Sequence, residues 1–229
     1  MKTLKSLFVT GLVLASSFAA RAEVSAQAWL ETYYLNPQPE ALVTRVRSLS
    51  REGFFEKPGH TALSIGFLAT VFAKNPARVE GWIADFRSLP ARHQRLVAAA
   101  LWQAGLPVGS DLLRKLSVDS VVRNEVLQLA NTPAQLVSDT PVRSSSSMNL
   151  QWGAFLATGD ERHIVRVLDA IGTGERGIDT VARVALAQNA AAHPRVLEIC
   201  RNQLDRQPEE VRSVLRAALQ DASVAKPQI

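Results

Sequence analysis

Four histidines and a run of serines are the residues of this sequence whose types could do chemistry. The histidines lie far apart, and no two have the spacing of a metal-binding pair. His60 and His193 fall near predicted helix starts, whereas His93 and His163 fall in charged stretches. We therefore expect all four imidazoles to be solvated and predict no metal-binding residue.

The serine run Ser144–Ser147 could supply a nucleophile for a hydrolase, with His163 as its base. Such chemistry also needs an oxyanion site, and no motif around the run marks one. The same residues suit a loop followed by a helix, in which Ser146 or Ser147 caps the helix that begins near Met148. We favour the structural interpretation, and the hydrolase is kept as an alternative.

A glycine-rich turn at Gly172–Gly177 has the GxGxxG spacing of a dinucleotide-binding loop. That loop needs a strand before it and a helix directly after it, but the preceding residues 160–171 have a helical pattern. We interpret the turn as a flexible connection. The sequence therefore nominates no catalytic or cofactor-binding residue, and the residues that would bind a partner cannot be named.

The first 22 residues have the pattern of a secretory signal peptide. Lys2 and Lys5 precede the apolar run Leu7–Leu14, and Ala20-Arg21-Ala22 fits the small-residue rule for cleavage. The run is too short to span a bilayer, which needs roughly 20 apolar residues. We predict cleavage after Ala22 and a periplasmic or secreted protein, with a retained N-terminal anchor as the alternative.

Composition indicates an ordinary globular chain, with 47% hydrophobic and 21% charged residues. The net charge of +5 falls to +2 when Lys2, Lys5 and Arg21 leave with the signal peptide. A charge so near neutrality argues against a nucleic-acid partner. No later segment is apolar enough for stable membrane insertion.

The single cysteine, Cys200, cannot form an intramolecular disulfide and is predicted to be a buried, inert thiol.

The segment 148–172 predicts two helices joined by a tight turn. Gly159 suits the left-handed position that follows a helix end, and Asp160 suits the cap of the next helix. Apolar residues recur at helical spacing on both sides of this turn: Met148, Trp152, Phe155 and Leu156 before it, and Ile164, Val165, Leu168 and Ile171 after it.

The remaining sequence predicts further helices and no strands, so the fold class is all-α. Helices are expected over 25–35, 60–74, 110–116 with Ser110 as cap, about 119–130, and 178–191, with others starting at Pro39, Pro76 (capped by Asn75), Pro90, Pro194 and Pro208. A loop at 132–147 divides a single domain, 23–229, into two helical blocks at about 23–131 and 148–221. The tail from Asp221 is expected to be loose.

Two parts of the sequence resemble each other. Pro76 and Pro194 are each followed fourteen residues later by a second proline, and eleven residues after that by a leucine, Leu101 or Leu219. This spacing predicts stacked αα-hairpins, a divergent, solenoid-like helical-repeat array. Its paired helices are tetratricopeptide-like but lack that repeat's full signature. An irregular helical bundle is the alternative.

Glycines and tryptophans inside the predicted helices indicate packing. Gly66, Gly81 and Gly153 each cost about 1 kcal/mol relative to alanine in a helix, and we expect close helix–helix approach to compensate for them. The tryptophans lie on or beside apolar stripes and are expected to be mostly core: Trp29, Trp82, Trp102 and Trp152.

Three segments carry a resemblance to a family: YLNPQPE near Tyr34, ANTPAQ near Asn131, and SSSSMNLQWGAFLATGD before Glu161. Over most of the mature chain the sequence resembles a group of exported bacterial all-helical proteins of unknown function. The resemblance implies an exported, all-helical protein and brings no catalytic or ligand residues.

Together these features predict a non-catalytic module that binds a protein or peptide, because a repeated hairpin pattern occurs without a chemical site. Two alternatives remain: a hydrolase-like enzyme with residues dispersed over loops, and a carrier of a small apolar ligand between helices. No cofactor is expected.

Overall fold

The fold is all-α. The computed structural model describes residues 24–118, 120–173 and 177–224, and within them there are twelve α-helices and no strand. The predicted signal peptide, residues 1–22, lies outside the described residues. The α-helices are α1 (Ala26–Thr32), α2 (Leu42–Arg51), α3 (His60–Lys74), α4 (Pro76–Phe86), α5 (Ala91–Gln103), α6 (Gly109–Ser117), α7 (Arg123–Ala130), α8 (Ser145–Thr158), α9 (Glu161–Leu168), α10 (Ile178–Ala192), α11 (Pro194–Gln203) and α12 (Glu209–Val224).

Short 3₁₀ helices connect several of these elements. They lie at Tyr33–Leu35, Pro39–Ala41, Phe54–Glu56 and Val137–Asp139. The last of them interrupts the predicted loop 132–147, and we call it the 137–139 turn.

Helices α3 and α8 form the centre of the fold and make the most extensive contact between any two described elements. A Cβ built on Gly66 would lie 1.9 Å from the carbonyl oxygen of Leu150, and one built on Gly153 would lie 1.8 Å from that of Leu63. Close helix approach therefore explains these two glycines, as predicted. Gly81 is different, because nothing lies within 4 Å of the equivalent position.

The hairpin around residue 159 is confirmed. Gly159 has φ of 67° after the end of α8, and Asp160 caps α9 by accepting a hydrogen bond from the backbone N–H of Arg162 at 3.0 Å. The cap of α8 corrects the prediction. It is Ser144, and the Ser147 hydroxyl bonds back to the Ser144 N–H, because the helix begins three residues before Met148.

Other predicted helix ends also need correction. Asn75 precedes α4 without capping it, because its side chain donates backwards to the carbonyl of Val71. Ser110 lies inside α6, whose cap position is Val108. The tail is not loose from Asp221, since α12 continues to Val224 and buries Ala222.

The stacked-hairpin arrangement is not confirmed. The prolines do start or directly precede successive helices, α4 then α5 and α11 then α12, as the internal resemblance predicts. Helix α11 contacts α12, whereas α4 packs mainly on α6 and not on α5. In a solenoid each repeat contacts its neighbours in the sequence, whereas here the central contact joins α3 to α8 across four intervening helices. The packing around α3 and α8 corresponds more closely to the alternative, an irregular helical bundle.

The core contains most of the residues predicted for it. Trp29, Trp82 and Trp152 are buried, whereas Trp102 is half-buried and donates its indole N–H to the carbonyl of Thr132 at 3.1 Å. Cys200 is buried, and burial raises the pKa of its thiol to about 12. Across the described residues, no helix combines the length and apolarity needed to cross a membrane.

Candidate binding groove

Two adjoining cavities form a groove beside the ends of α3 and α8. The inner cavity has a volume of about 560 Å³ and lies between the last turns of α3, the end of α5, the 137–139 turn and α9. The outer cavity, of about 590 Å³, lies between the first 3₁₀ helices, the end of α3 and the start of α11. Four residues line both: Lys74, Thr158, Asp160 and Glu161. The cavities are therefore two halves of one groove.

The fold positions this groove through the crossing of α3 and α8. Gly66 and Gly153 set the separation of the two helices, and both helices end at the groove, at Lys74 and Thr158. The tight turn at Gly159 then brings the first residues of α9 into the wall. The local signals that end α8 and start α9 therefore determine where the polar side chains of the groove lie.

A buried glutamine fixes the wall formed by the 137–139 turn. Gln151 is fully buried in α8, and its side-chain nitrogen donates to the carbonyls of Val137 and Thr140 at 2.8 and 2.9 Å. Both of its N–H groups are thereby used. Arg166 adds a hydrogen bond to the carbonyl of Ser138 at 3.1 Å. The turn is thus held against α8 and α9 by side chains that bond its backbone.

The same glutamine fixes the proton on His163. The Gln151 side-chain oxygen lies 2.9 Å from Nδ1 of His163 and can only accept a hydrogen bond. Nδ1 therefore carries the proton, and Nε2 of the neutral ring carries a lone pair. Burial lowers the pKa of His163 to about 4, so the ring is neutral at physiological pH.

The ionised form of Asp160 is stabilised by the arginine that follows it in α9. The Arg162 side chain donates to Asp160 Oδ2 at 2.6 and 3.0 Å, and this pairing lowers the pKa of Asp160 to about 2. Asp160 Oδ1 also accepts a hydrogen bond from the backbone N–H of Arg162. The aspartate therefore serves the structure of α9, and its charge is compensated.

Two charges at the junction of the cavities are not compensated by any described residue. Among the described residues, Lys74 and Glu161 each form no ion pair and no side-chain hydrogen bond, although both line the inner and the outer cavity. Arg195 of the outer cavity is paired with Glu198 at 2.8 Å. Where its halves meet, the groove therefore has one cation and one carboxylate that no described residue pairs.

The predicted hydrolase residues are not brought together. Ser144 and Ser147 bond each other and the start of α8, and no hydrogen bond between described residues joins either of them to His163. Part of the GxGxxG turn, residues 174–176, lies outside the described residues. Gly177 precedes α10 directly.

The expectation of solvated histidines is wrong for His93 and His163. Both residues are buried. Each ring compensates for the loss of water by a hydrogen bond to a buried polar side chain, His93 with Ser50 and His163 with Gln151. These pairings join segments 43 and 12 residues apart, so no local motif could have revealed them.

Ser50, His93 and Glu56 form a hydrogen-bonded chain that the sequence analysis missed. The Ser50 hydroxyl lies 2.7 Å from Nδ1 of His93, and Nε2 of the same ring lies 2.9 Å from a carboxylate oxygen of Glu56. Ser50 lies inside α2 and is buried, and none of the three residues lines the groove. The chain connects α2, α5 and the 3₁₀ helix Phe54–Glu56 and acts as a structural link.

Comparisons of the chain with protein families, with curated proteins and with solved structures give no match. The resemblance to exported all-helical proteins therefore stays a prediction.

Proposed function

We propose that this chain is an exported, non-catalytic binding protein that takes an extended peptide, or an exposed segment of another protein, in the groove. The observation that carries this proposal is the pair of free charges at the junction of the two cavities, Lys74 and Glu161. A peptide can present charges of both signs along an extended chain, and its backbone offers donors and acceptors on both edges.

The shape of the groove supports the same proposal. Two contiguous cavities, of about 560 and 590 Å³, form an elongated site and not a single deep pocket. Tyr33, Pro37 and Pro39 give the outer half an apolar side, and the inner half likewise combines apolar side chains with polar and charged ones. Such a mixed lining suits a peptide with alternating side-chain character.

The chemistry of His163 favours binding over catalysis. A general base is most effective when its pKa is close to the working pH, and burial holds the pKa of His163 at about 4. At neutral pH the ring is a weak base that accepts hydrogen bonds. The Ser50–His93–Glu56 chain offers the hydrolase alternative little support, because its serine is enclosed within α2 and away from the groove.

The alternative of a small apolar ligand fits this site less well. Charged side chains line both halves of the groove, and both halves open to solvent. A carrier for an apolar molecule is expected to enclose it among hydrophobic side chains.

Peptide selection tests the proposal directly. Short random peptides are selected on the purified protein, and their affinity is measured by isothermal titration calorimetry. We expect Lys74→Ala to weaken binding about tenfold through loss of a charge-assisted contact. Lys115→Ala is the matched control, because Lys115 lies on α6, pairs with Glu80 and is outside the groove. Equal affinities of the two variants, or failure to select any peptide, would contradict the proposal.

Export has its own test. We propose that the mature protein begins at residue 23 in the periplasm or outside the cell. N-terminal sequencing of the protein recovered from fractionated cells checks this start. A product that retains residues 1–22 would contradict it.

A further inference from the structure

We propose that the inner cavity receives a cationic group, an ammonium or a guanidinium such as the side chain of a lysine or arginine in the bound peptide. This inference rests on the proposed peptide-binding function and names the chemical class that the inner half of the groove recognises. It is carried by one imidazole nitrogen without a hydrogen-bond partner and two carboxylates without an ion pair among the described residues of that cavity.

The first acceptor is Nε2 of His163. The hydrogen bond between Nδ1 and Gln151 fixes the ring so that Nε2 carries the lone pair. The residue is 8% exposed. Its Nε2 atom has no hydrogen-bond partner among the described residues and keeps some exposure to solvent. His163 lines the inner cavity. A ring that lines this space therefore carries a fixed acceptor without a partner among the described residues.

Two carboxylates supply the charge. Glu161 and Asp139 line the same cavity, and neither forms an ion pair with a described residue. Asp139 receives only the hydroxyl of its neighbour Ser138, at 3.0 Å. The first residue of α9 is Glu161, a position at which the helix dipole favours a negative charge.

The arginines of the inner cavity are already engaged. Arg162 is held by Asp160, and Arg166 bonds the carbonyl of Ser138 and lies 4.0 Å from Asp169. Lys74 is then the one free cation, against two free carboxylates, among the described residues of this cavity. One unit of negative charge is left uncompensated, and the fixed imidazole acceptor lies in the same wall.

A cation with several N–H donors fits this arrangement. An ammonium has three donors and a guanidinium five, and neither has an acceptor that would repel the imidazole lone pair. Hydrogen bonds to carboxylates are strongest when the donor is charged. Lys74 lies at the junction with the outer cavity, where it can meet an anionic group elsewhere on the same peptide.

The test uses the peptides selected on the wild-type protein. In each peptide that contains arginine, that residue is replaced by citrulline, which has nearly the same shape but no charge. Affinities are measured by calorimetry for the wild-type protein and for Asp139→Asn and Glu161→Gln. Glu80→Gln on α4 is the control outside the groove. The free amines agmatine and putrescine form a separate arm that distinguishes a free cation from a peptide side chain.

We expect basic residues to be enriched in the selected peptides and citrulline to weaken binding about tenfold. The penalty for citrulline should shrink in the Asp139 and Glu161 variants and persist in the Glu80 variant. Peptides that bind without this preference would overturn the cation site and leave the proposed function standing. If agmatine or putrescine binds and no selected peptide does, the cation site is supported and the peptide function is overturned. Absence of binding in every arm would overturn both.

Discussion

Gly66 and Gly153 let α3 and α8 approach until each glycine lies against the backbone of the other helix. The missing Cβ atoms would overlap the carbonyl oxygens of Leu150 and Leu63 at 1.9 and 1.8 Å. Since both helices end at the groove, this contact also sets the distance between Lys74 and Thr158. The packing of the core and the width of the groove are therefore determined together.

Alanine at Gly66 should strongly destabilise the protein. Its methyl group has no room at the crossing, so α3 and α8 must separate, at a cost of about 3 kcal/mol or more. The matched control is Gly81→Ala in α4, where the position is open and exposed. There the free energy of unfolding should rise by about 0.5–1 kcal/mol. Denaturant unfolding followed by circular dichroism measures both values, and similar values for the two variants would contradict the packing described.

Part of this fold could be predicted from local residue types. The φ value of Gly159 and the cap formed by Asp160 depend on a few consecutive residues, and both predictions are confirmed. The spacing of the prolines and of the apolar stripes likewise predicted that two successive helices follow from each of Pro76 and Pro194.

The buried polar contacts of the protein could not be predicted in this way. His163 looked solvated because Arg162 and Glu161 stand beside it in the sequence, but the turn of α9 directs its ring onto Gln151 of α8. The contact that joins Ser50 to His93 spans 43 residues. Such contacts depend on how the helices pack, and the spacing of residues within one helix does not contain that information.

Cys200 should be unreactive while the protein is folded. The thiolate is the reactive form of cysteine, and burial raises the pKa of this thiol to about 12. We expect Ellman's reagent to modify Cys200 only after denaturant is added. Modification of the folded protein at the rate of a free thiol would show that α11 does not bury this side chain as described.

Loss of the α9 cap should lower stability in a manner that depends on pH. Asp160→Ala removes both the N-terminal cap and the pair with Arg162 and should cost about 1 kcal/mol near neutral pH. Asp160→Asn retains a capping acceptor and should cost less.

The pH window follows from the pKa of Asp160, which folding lowers from 3.8 to about 2. As pH falls, the unfolded chain protonates Asp160 before the folded protein does. The contribution of the Asp160 charge to stability is therefore complete above the unfolded pKa, and it is lost as pH falls through the folded pKa. The difference between wild type and Asp160→Asn should therefore shrink between about pH 4 and pH 2 in urea titrations. A difference that stays constant through this window would contradict the role of the charge.

His163 should destabilise the folded protein at mildly acidic pH. Folding lowers its pKa from 6.5 to about 4, so between these values the unfolded chain binds a proton that the folded protein does not. Stability should therefore fall as pH falls from 6.5 toward 4, by at most about 3 kcal/mol, and this contribution should level off below. His163→Gln lacks the titrating ring, and its unfolding free energy should change less through the same window. In the wild type, protonation also converts Nε2 from an acceptor into a donor. Affinity for a cationic peptide should therefore decline near pH 4. The decline should follow the titration of the His163 imidazole as measured by NMR. Parallel pH profiles of stability for the wild type and the variant would show that Gln151 does not hold the neutral ring in the way described.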